Sequence, residues 1–162
     1  MRFGPRALIH RFGGVVVTLL ALGPGVIVAA PPAQAYAPSV ATVAAYEAQV
    51  IQQINYQRVK YHRGRLAAGS CADAYAERWG AYLARTGTFY HQSMYPILRG
   101  CRATVAAENL ARGNVSVARF ITAWMLSPGH RANILDGRLT RIGVGAVYVR
   151  GQWVVATDFT RS

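Results

Sequence analysis

The chain has 162 residues, 18 basic against 6 acidic side chains, a formal net charge of +12 and two cysteines. That length suits one domain with a real hydrophobic core. The absence of an internal repeat, of long low-complexity tracts and of any C-x-x-C pair argues against a repeat array or a cysteine-based metal cluster.

Seventeen basic residues are Arg and one, Lys60, is Lys. They are spread along the chain with no nucleic-acid-binding motif around them, so nucleic acid is not an expected partner. An anionic cell-surface polymer or a lipid headgroup is the partner that this charge would favour. The one cluster, Arg58-Val-Lys60-Tyr-His62-Arg63-Gly-Arg65, reads as the solvated basic end of a helix.

Residues 1–35 read as a signal peptide. Arg2, Arg6, His10 and Arg11 form a positive head, Gly13 to Ala30 is an uncharged apolar run, and Ala33-Gln34-Ala35 is a small-x-small cleavage motif. A retained membrane anchor is the competing reading, opposed by Gly23-Pro24-Gly25 within the run. After cleavage no transmembrane segment is expected. Residues 36–39 are then a short linker and 40–162 the domain, exported and either free outside the cell or held on the cell wall. In that oxidising setting Cys71 and Cys101 are expected to form one disulfide, with a metal pair or a reactive thiol as the alternatives.

The first predicted helix runs from Val40 to about His62, with Val43, Val50, Ile51 and Ile54 at helical spacing and Gly64 ending it. Tyr46, Tyr56 and Tyr61 are either packing residues or part of an amphipathic surface. A second helix begins at Ser70-Cys71-Ala72-Asp73, which has the form of a capping box, carries the stripe Ala72, Tyr75, Ala76, Trp79 and Leu83, and ends at Gly87. Thr88 to Ala107 reads as irregular, with turns at Tyr95-Pro96 and Gly100-Cys101. Asn109 to Asn114 reads as further linker. A third helix follows Ser116 and stacks Val117, Phe120, Ile121 and Trp124. Ser127 caps a short fourth helix with Pro128 in its first position, ended by Asp136-Gly137. Ile142–Val149 and Trp153–Thr160 alternate and form a β-hairpin. Helices first and an antiparallel sheet last make an α+β layered domain.

Four residues are candidates for chemistry: His91, Glu108, Ser127 and His130. His130 lies near a helix start, where the dipole disfavours the imidazolium and leaves a neutral ring able to bind a metal or accept a proton. Its alternative role is simple packing against Trp124. Glu108 sits in an apolar stretch, either exposed at a bend or paired inside with His91, His130 or Arg112.

Taken together, Trp124-x-x-Ser127-Pro128-Gly129-His130-Arg131-x-Asn133-Ile134-Leu135, then Ile142-Gly-Val-Gly145, with Tyr90-His91-Gln92-Ser93 and Ala107-Glu108-Asn109-Leu110 upstream, resemble the bacterial SCP/YkwD-like branch of the CAP superfamily (cysteine-rich secretory, antigen 5 and pathogenesis-related 1 proteins). The resemblance runs from about Val50 to Phe159. It implies a three-layer α-β-α sandwich with a small central antiparallel sheet and a cleft holding two His and two acids. His91, Glu108 and His130 carry over. The family's second acid does not, because Ser127 stands at its position, and neither Asp136 nor Asp158 matches a motif. Ser127 is assigned to the cleft as a helix cap, not as a nucleophile.

His91, His130 and Glu108 are an acceptable ligand set for Zn²⁺ or another divalent cation, weakly bound for want of the second carboxylate. The resemblance implies a secreted, monomeric binding module for a lipid, sterol, cell-surface component or divalent metal. The alternative is a metal-assisted hydrolase of peptide or ester bonds, which would require a general base that the sequence does not show.

Overall fold

The computed structural model describes residues 39–162. Residues 1–38, which include the expected signal peptide and most of the expected linker, fall outside the described residues. Among those described, no helix is long and apolar enough to cross a membrane.

Five helices and four strands follow one another. They are α1 (Val40–Lys60), β1 (Ala67–Ala68), α2 (Ser70–Thr86), α3 (Tyr95–Gly100), β2 (Val105–Gly113), α4 (Val117–Leu126), α5 (Pro128–Leu135), β3 (Arg141–Val149) and β4 (Gln152–Arg161). The sheet order is β1-β3-β4-β2. The β3–β4 hairpin turns at Arg150 and Gly151, both at positive φ. β2 pairs antiparallel to β4 along its whole length. The sheet is mixed, not antiparallel throughout, because the two-residue β1 runs parallel to β3.

Strand alternation produces the layers. Trp153, Val155 and Phe159 of β4 enter one core with Val50 and Ile54 of α1, Trp124 of α4 and Ile134 of α5. Val154 and Ala156 of the same strand enter a second core with Leu83 and Ala84 of α2 and Leu110 of β2. α2 thus covers one face while α1, α4 and α5 cover the other, giving the α-β-α arrangement.

Gly143 and Gly145 face α2 and let it lie on the strand backbone. A Cβ at Gly143 would collide with the backbone of Ala72 and Asp73, and one at Gly145 would collide with the Ala76 carbonyl. That close approach lets Asp73 Oδ1 accept from Val144 N at 3.0 Å, and Glu47 Oε1 accepts from Ala146 N at 2.8 Å. Beyond the short β1, the exposed edge of β3 is therefore closed by two carboxylates, which satisfies strand N–H groups that would otherwise be orphaned.

Several local expectations are corrected. α2 is capped by Gly69, not by a Ser70 capping box, since Asp73 is committed to Val144. Ser116 and Ser127 occupy N-cap positions, but neither side chain makes a capping bond. Tyr95-Pro96 opens α3 instead of a turn, with Pro in the first turn, where its missing N–H costs nothing. The stretch read as linker is β2.

The basic cluster is also not a uniformly solvated end. Arg58 is 1% exposed. Its guanidinium donates to the carbonyls of Gly64 (2.6 Å), Ile134 (2.7 Å), Asp136 (3.0 Å) and Leu139 (3.3 Å), joining α1 to the loop that follows it, to the end of α5 and to the loop between α5 and β3. The tyrosines divide. Tyr46 stacks on Trp153 at 3.8 Å, Tyr56 is exposed, and Tyr61 lies under the Arg131 guanidinium at 4.9 Å. Cys71 and Cys101 are disulfide-bonded and tie the start of α2 to the end of α3.

Candidate functional site

Two neighbouring residues of β2 organise the site. Alternation turns Glu108 and Asn109 to opposite faces of the strand. Glu108 holds the loop between α2 and α3. His91 Nδ1 donates to Oε1 at 2.6 Å, the Gln92 backbone N–H donates to the same oxygen at 3.2 Å, and Gln92 Nε2 donates to Oε2 at 2.9 Å. Asn109 holds α5, donating from Nδ2 to the His130 carbonyl at 3.1 Å. Asn133 Nδ2 donates back to the Glu108 carbonyl and to Asn109 Oδ1, both at 3.0 Å.

Because β2 is an outer strand, segments anchored on its two faces can meet beyond it. The imidazoles of His91 and His130 lie 6.3 Å apart, centroid to centroid, and His130 is 6.4 Å from the Trp124 ring. Trp124 is itself fixed, its Nε1 donating to the Leu110 carbonyl at 2.9 Å. The loop that carries His91 is held from the other side by Tyr90, which packs edge-on against Trp79 at 5.2 Å and whose carbonyl accepts from Trp79 Nε1.

Asp158 is the residue that sequence reasoning set aside because it matches no motif. It is the register partner of Glu108 on β4 and is fully buried. Gln92 Nε2 donates to both its oxygens, at 3.2 and 3.0 Å, so one amide bridges two carboxyl groups. A signal did exist in the sequence. Asp158 falls on an alternating strand between Thr157 and Phe159, a setting in which a carboxyl group must find a partner or hold a proton.

The electrostatics follow from burial. Desolvation first, then the negative charge on Glu108, pushes the Asp158 carboxyl up to about 8. Glu108 is also raised by burial, against the opposing pull of its bonds from Gln92 and His91. His130 is lowered by burial and then by the neighbouring His91, which keeps its ring neutral. Within the His91–Glu108 contact the two partners differ sharply in exposure. The side chain of His91 is 58% exposed and that of Glu108 is 2% exposed.

The four expected site residues are placed as follows. His91 and Glu108 are in direct contact, and His130 lies beside His91. Ser127 and His130 line a cavity of about 500 Å³ between β2 and α4. No three His, Cys, Asp or Glu side chains among the described residues form a group that could hold a metal ion. Glu108 is buried and already accepts three hydrogen bonds, two at Oε1 and one at Oε2. The exposed His91 contributes Nδ1 to that network, and the imidazole of His130 lies beside it.

Comparison with known proteins agrees with this architecture. Residues 51–159 match the model of the CAP family, described as the cysteine-rich secretory protein family. The chain is 32% identical over 119 residues to the uncharacterized protein YkwD of Bacillus subtilis (strain 168), covering 69% of this chain and 46% of YkwD, and so spans about half that relative's length. Among solved structures, an outer surface protein from Borrelia burgdorferi superposes with a TM-score of 0.65 at 19% identity, covering 70% of this chain and 90% of that one. An extracellular protein containing an SCP domain from Bacillus anthracis superposes with a TM-score of 0.62 at 24% identity, covering 77% and 44%. With the family match spanning two thirds of the sequence, the chain belongs to the CAP family, in its bacterial SCP/YkwD-like branch.

Proposed function

We propose that the protein is a secreted, non-catalytic binding module that works outside the bacterial cell or on its wall. The observation that carries this reading is the state of its two site carboxyl groups. Glu108 is buried with both oxygens occupied, and Asp158 is fully buried beneath the sheet cover. Neither can reach the proton of a substrate or of an attacking water, and a general base needs hydrogen-bond reach to do so. Ser127 has no acid–histidine pair arranged behind it of the kind that activates a serine nucleophile.

A divalent cation fits this arrangement only through the two imidazoles, with water completing its shell. In that arrangement Glu108 orients His91 by holding Nδ1–H and leaves Nε2 as the donor. Such a site is weak and exchangeable, which suits ligand recruitment better than hydrolysis. Bound there, a cation would supply positive charge for an anionic ligand.

The test is a broad panel of peptide and ester substrates with and without added zinc. No turnover is expected. Zinc-dependent turnover that His130→Ala abolishes would overturn the proposal and install the hydrolase in its place.

A further inference from the structure

The basic run at the end of α1 divides in the fold. Arg58 turns inward, whereas Lys60, Arg63 and Arg65 stay exposed. Topology brings further cations to the same place. β1 begins two residues after Arg65 and pairs with the start of β3, Ala67 opposite Arg141. Arg141 in turn opposes Thr160 near the end of β4, and Arg161 opposes Val105 at the start of β2. The Arg161 carbonyl accepts from Thr104 N at 2.8 Å, two residues after Arg102. Arg63 Nη1 lies 3.8 Å from where a Cβ on Gly137 would stand, in the loop that leads into β3. Lys60, Arg63, Arg65, Arg102, Arg141 and Arg161, all exposed, thus gather at one end of a four-stranded sheet. Four strands span about 15 Å.

The negative charge at that end is already committed. Asp136 is bound by Arg138 at 2.7 Å, and Asp73 accepts from Val144 N. None of the six cations forms a salt bridge among the described residues. Arg141 alone among them donates a side-chain hydrogen bond within the described residues, from Nη1 to the Ala68 carbonyl at 3.4 Å. The opposite end of the sheet is less dense, with Arg85, Arg119 and Arg150 exposed. The segments that build the basic end, 62–65, 102–104, 136–140 and 161–162, expose no large apolar side chain and contain no Trp, Tyr or Phe. An interfacial membrane site needs apolar groups to insert, and a single-strand nucleic-acid site needs rings on which bases stack. The surface fits repeated negative charge that brings neither acyl chains nor bases.

We propose that this end of the sheet docks a phosphodiester polymer of the cell wall, successive phosphates seated on guanidinium groups from neighbouring strands. The proposal rests on the binding-module reading and names its surface and its partner. Guanidinium groups match phosphate oxygens in paired hydrogen bonds. A row of cations on separate strands selects a chain of spaced charges over a single small anion. Glu108 and Asp158 lie three residues further along β2 and β4, so the docking end is separate from the His91 site.

The experiment measures retention of the protein on purified cell wall and on the same wall stripped of its phosphodiester polymers with hydrofluoric acid. Titration with soluble poly(glycerol phosphate), with single-stranded DNA of matched charge and with vesicles of phosphatidylcholine and phosphatidylglycerol runs alongside. Two triple variants of equal net charge are compared, all at exposed positions. One carries Arg65→Glu, Arg102→Glu and Arg161→Glu, and the other Arg85→Glu, Arg119→Glu and Arg150→Glu. Arg63→Ser with Arg65→Ser, both outside helices and strands, keeps the comparison readable if a triple variant fails to fold. Wild type should bind intact wall and poly(glycerol phosphate) and pass over stripped wall. The first variant should weaken both by about tenfold or more, and the second by about twofold. Equal weakening by the two variants assigns binding to net charge and overturns the proposal. So does undiminished retention on stripped wall, or tighter binding to DNA or vesicles than to the polymer. Wall retention that the first variant leaves intact keeps the binding module and removes this docking end. Failure of wild type to bind any wall removes both.

Discussion

Glu108 and Asp158 stand opposite one another on adjacent strands, both buried, and a single amide group, that of Gln92, donates to both. Two carboxyl groups sharing one donor in a desolvated place cannot both ionise cheaply, so the pair retains a proton that the unfolded chain gives up.

That retention sets the sign of a pH dependence. Unfolded Asp titrates near pH 4, whereas folded Asp158 is pushed up to about 8. Between these values the folded state binds more protons than the unfolded state, so this contribution to stability falls as pH rises from about 4 to about 8. His130, held below its ordinary value, contributes with the opposite sign near its own titration. The difference between wild type and Asp158→Asn isolates the Asp158 contribution. Denaturant midpoints at pH 5 and pH 8 should show Asp158→Asn gaining on wild type at the higher pH. Parallel profiles would refute the shared proton.

Gly145→Ala should be costly although it adds one methyl group. That methyl would collide with the α2 backbone at Ala76 and Glu77, and neither backbone can yield alone. Overpacking of this kind costs on the order of 3 kcal/mol. Thermal denaturation should show a Tm lower by roughly 10 °C.

Arg58→Met keeps an unbranched apolar stem but removes the donors to four carbonyls. Leaving those acceptors unpaired should cost roughly 3–5 kcal/mol in urea unfolding. Arg58→Lys should recover only part of this, since an ammonium cannot reproduce the planar fork. A surface-like loss below about 0.5 kcal/mol would show that the bonds contribute nothing.

Reduction of Cys71–Cys101 reopens a loop of sequence separation 30. The chain-entropy model assigns such a loop roughly 3–4 kcal/mol. Scanning calorimetry with and without reductant should show a drop of several degrees or more in Tm, and mass spectrometry of the protein before reduction should find no free thiol.

What could be read in the sequence was what periodicity encodes. α2 and α4 carry clean apolar stripes, Gly87 takes the left-handed C-cap, and the β3–β4 hairpin alternates. β2 was hidden because Glu108, Asn109, Arg112 and Gly113 give it a polar, glycine-containing pattern. It serves as an outer strand whose side chains tether the site, not as a core strand. β1 is too short to leave a pattern. Arg58 looked solvated because its carbonyl partners lie up to 81 positions away in the chain, and no local pattern reports them. The motifs that carry His91, Glu108 and His130 were legible as a pattern, and the fold sets His91 against Glu108 and beside His130. Asp158 was weighed as a later acid and set aside because it matches no motif, whereas strand register brings it to Glu108 from β4.

The most direct measurement of the central claim is retention of the protein on purified cell wall and on anionic liposomes at low salt. The account predicts retention on at least one of them, weakened by added salt, since a strongly basic domain binds anionic surfaces through screened charge. Free passage over both would contradict it.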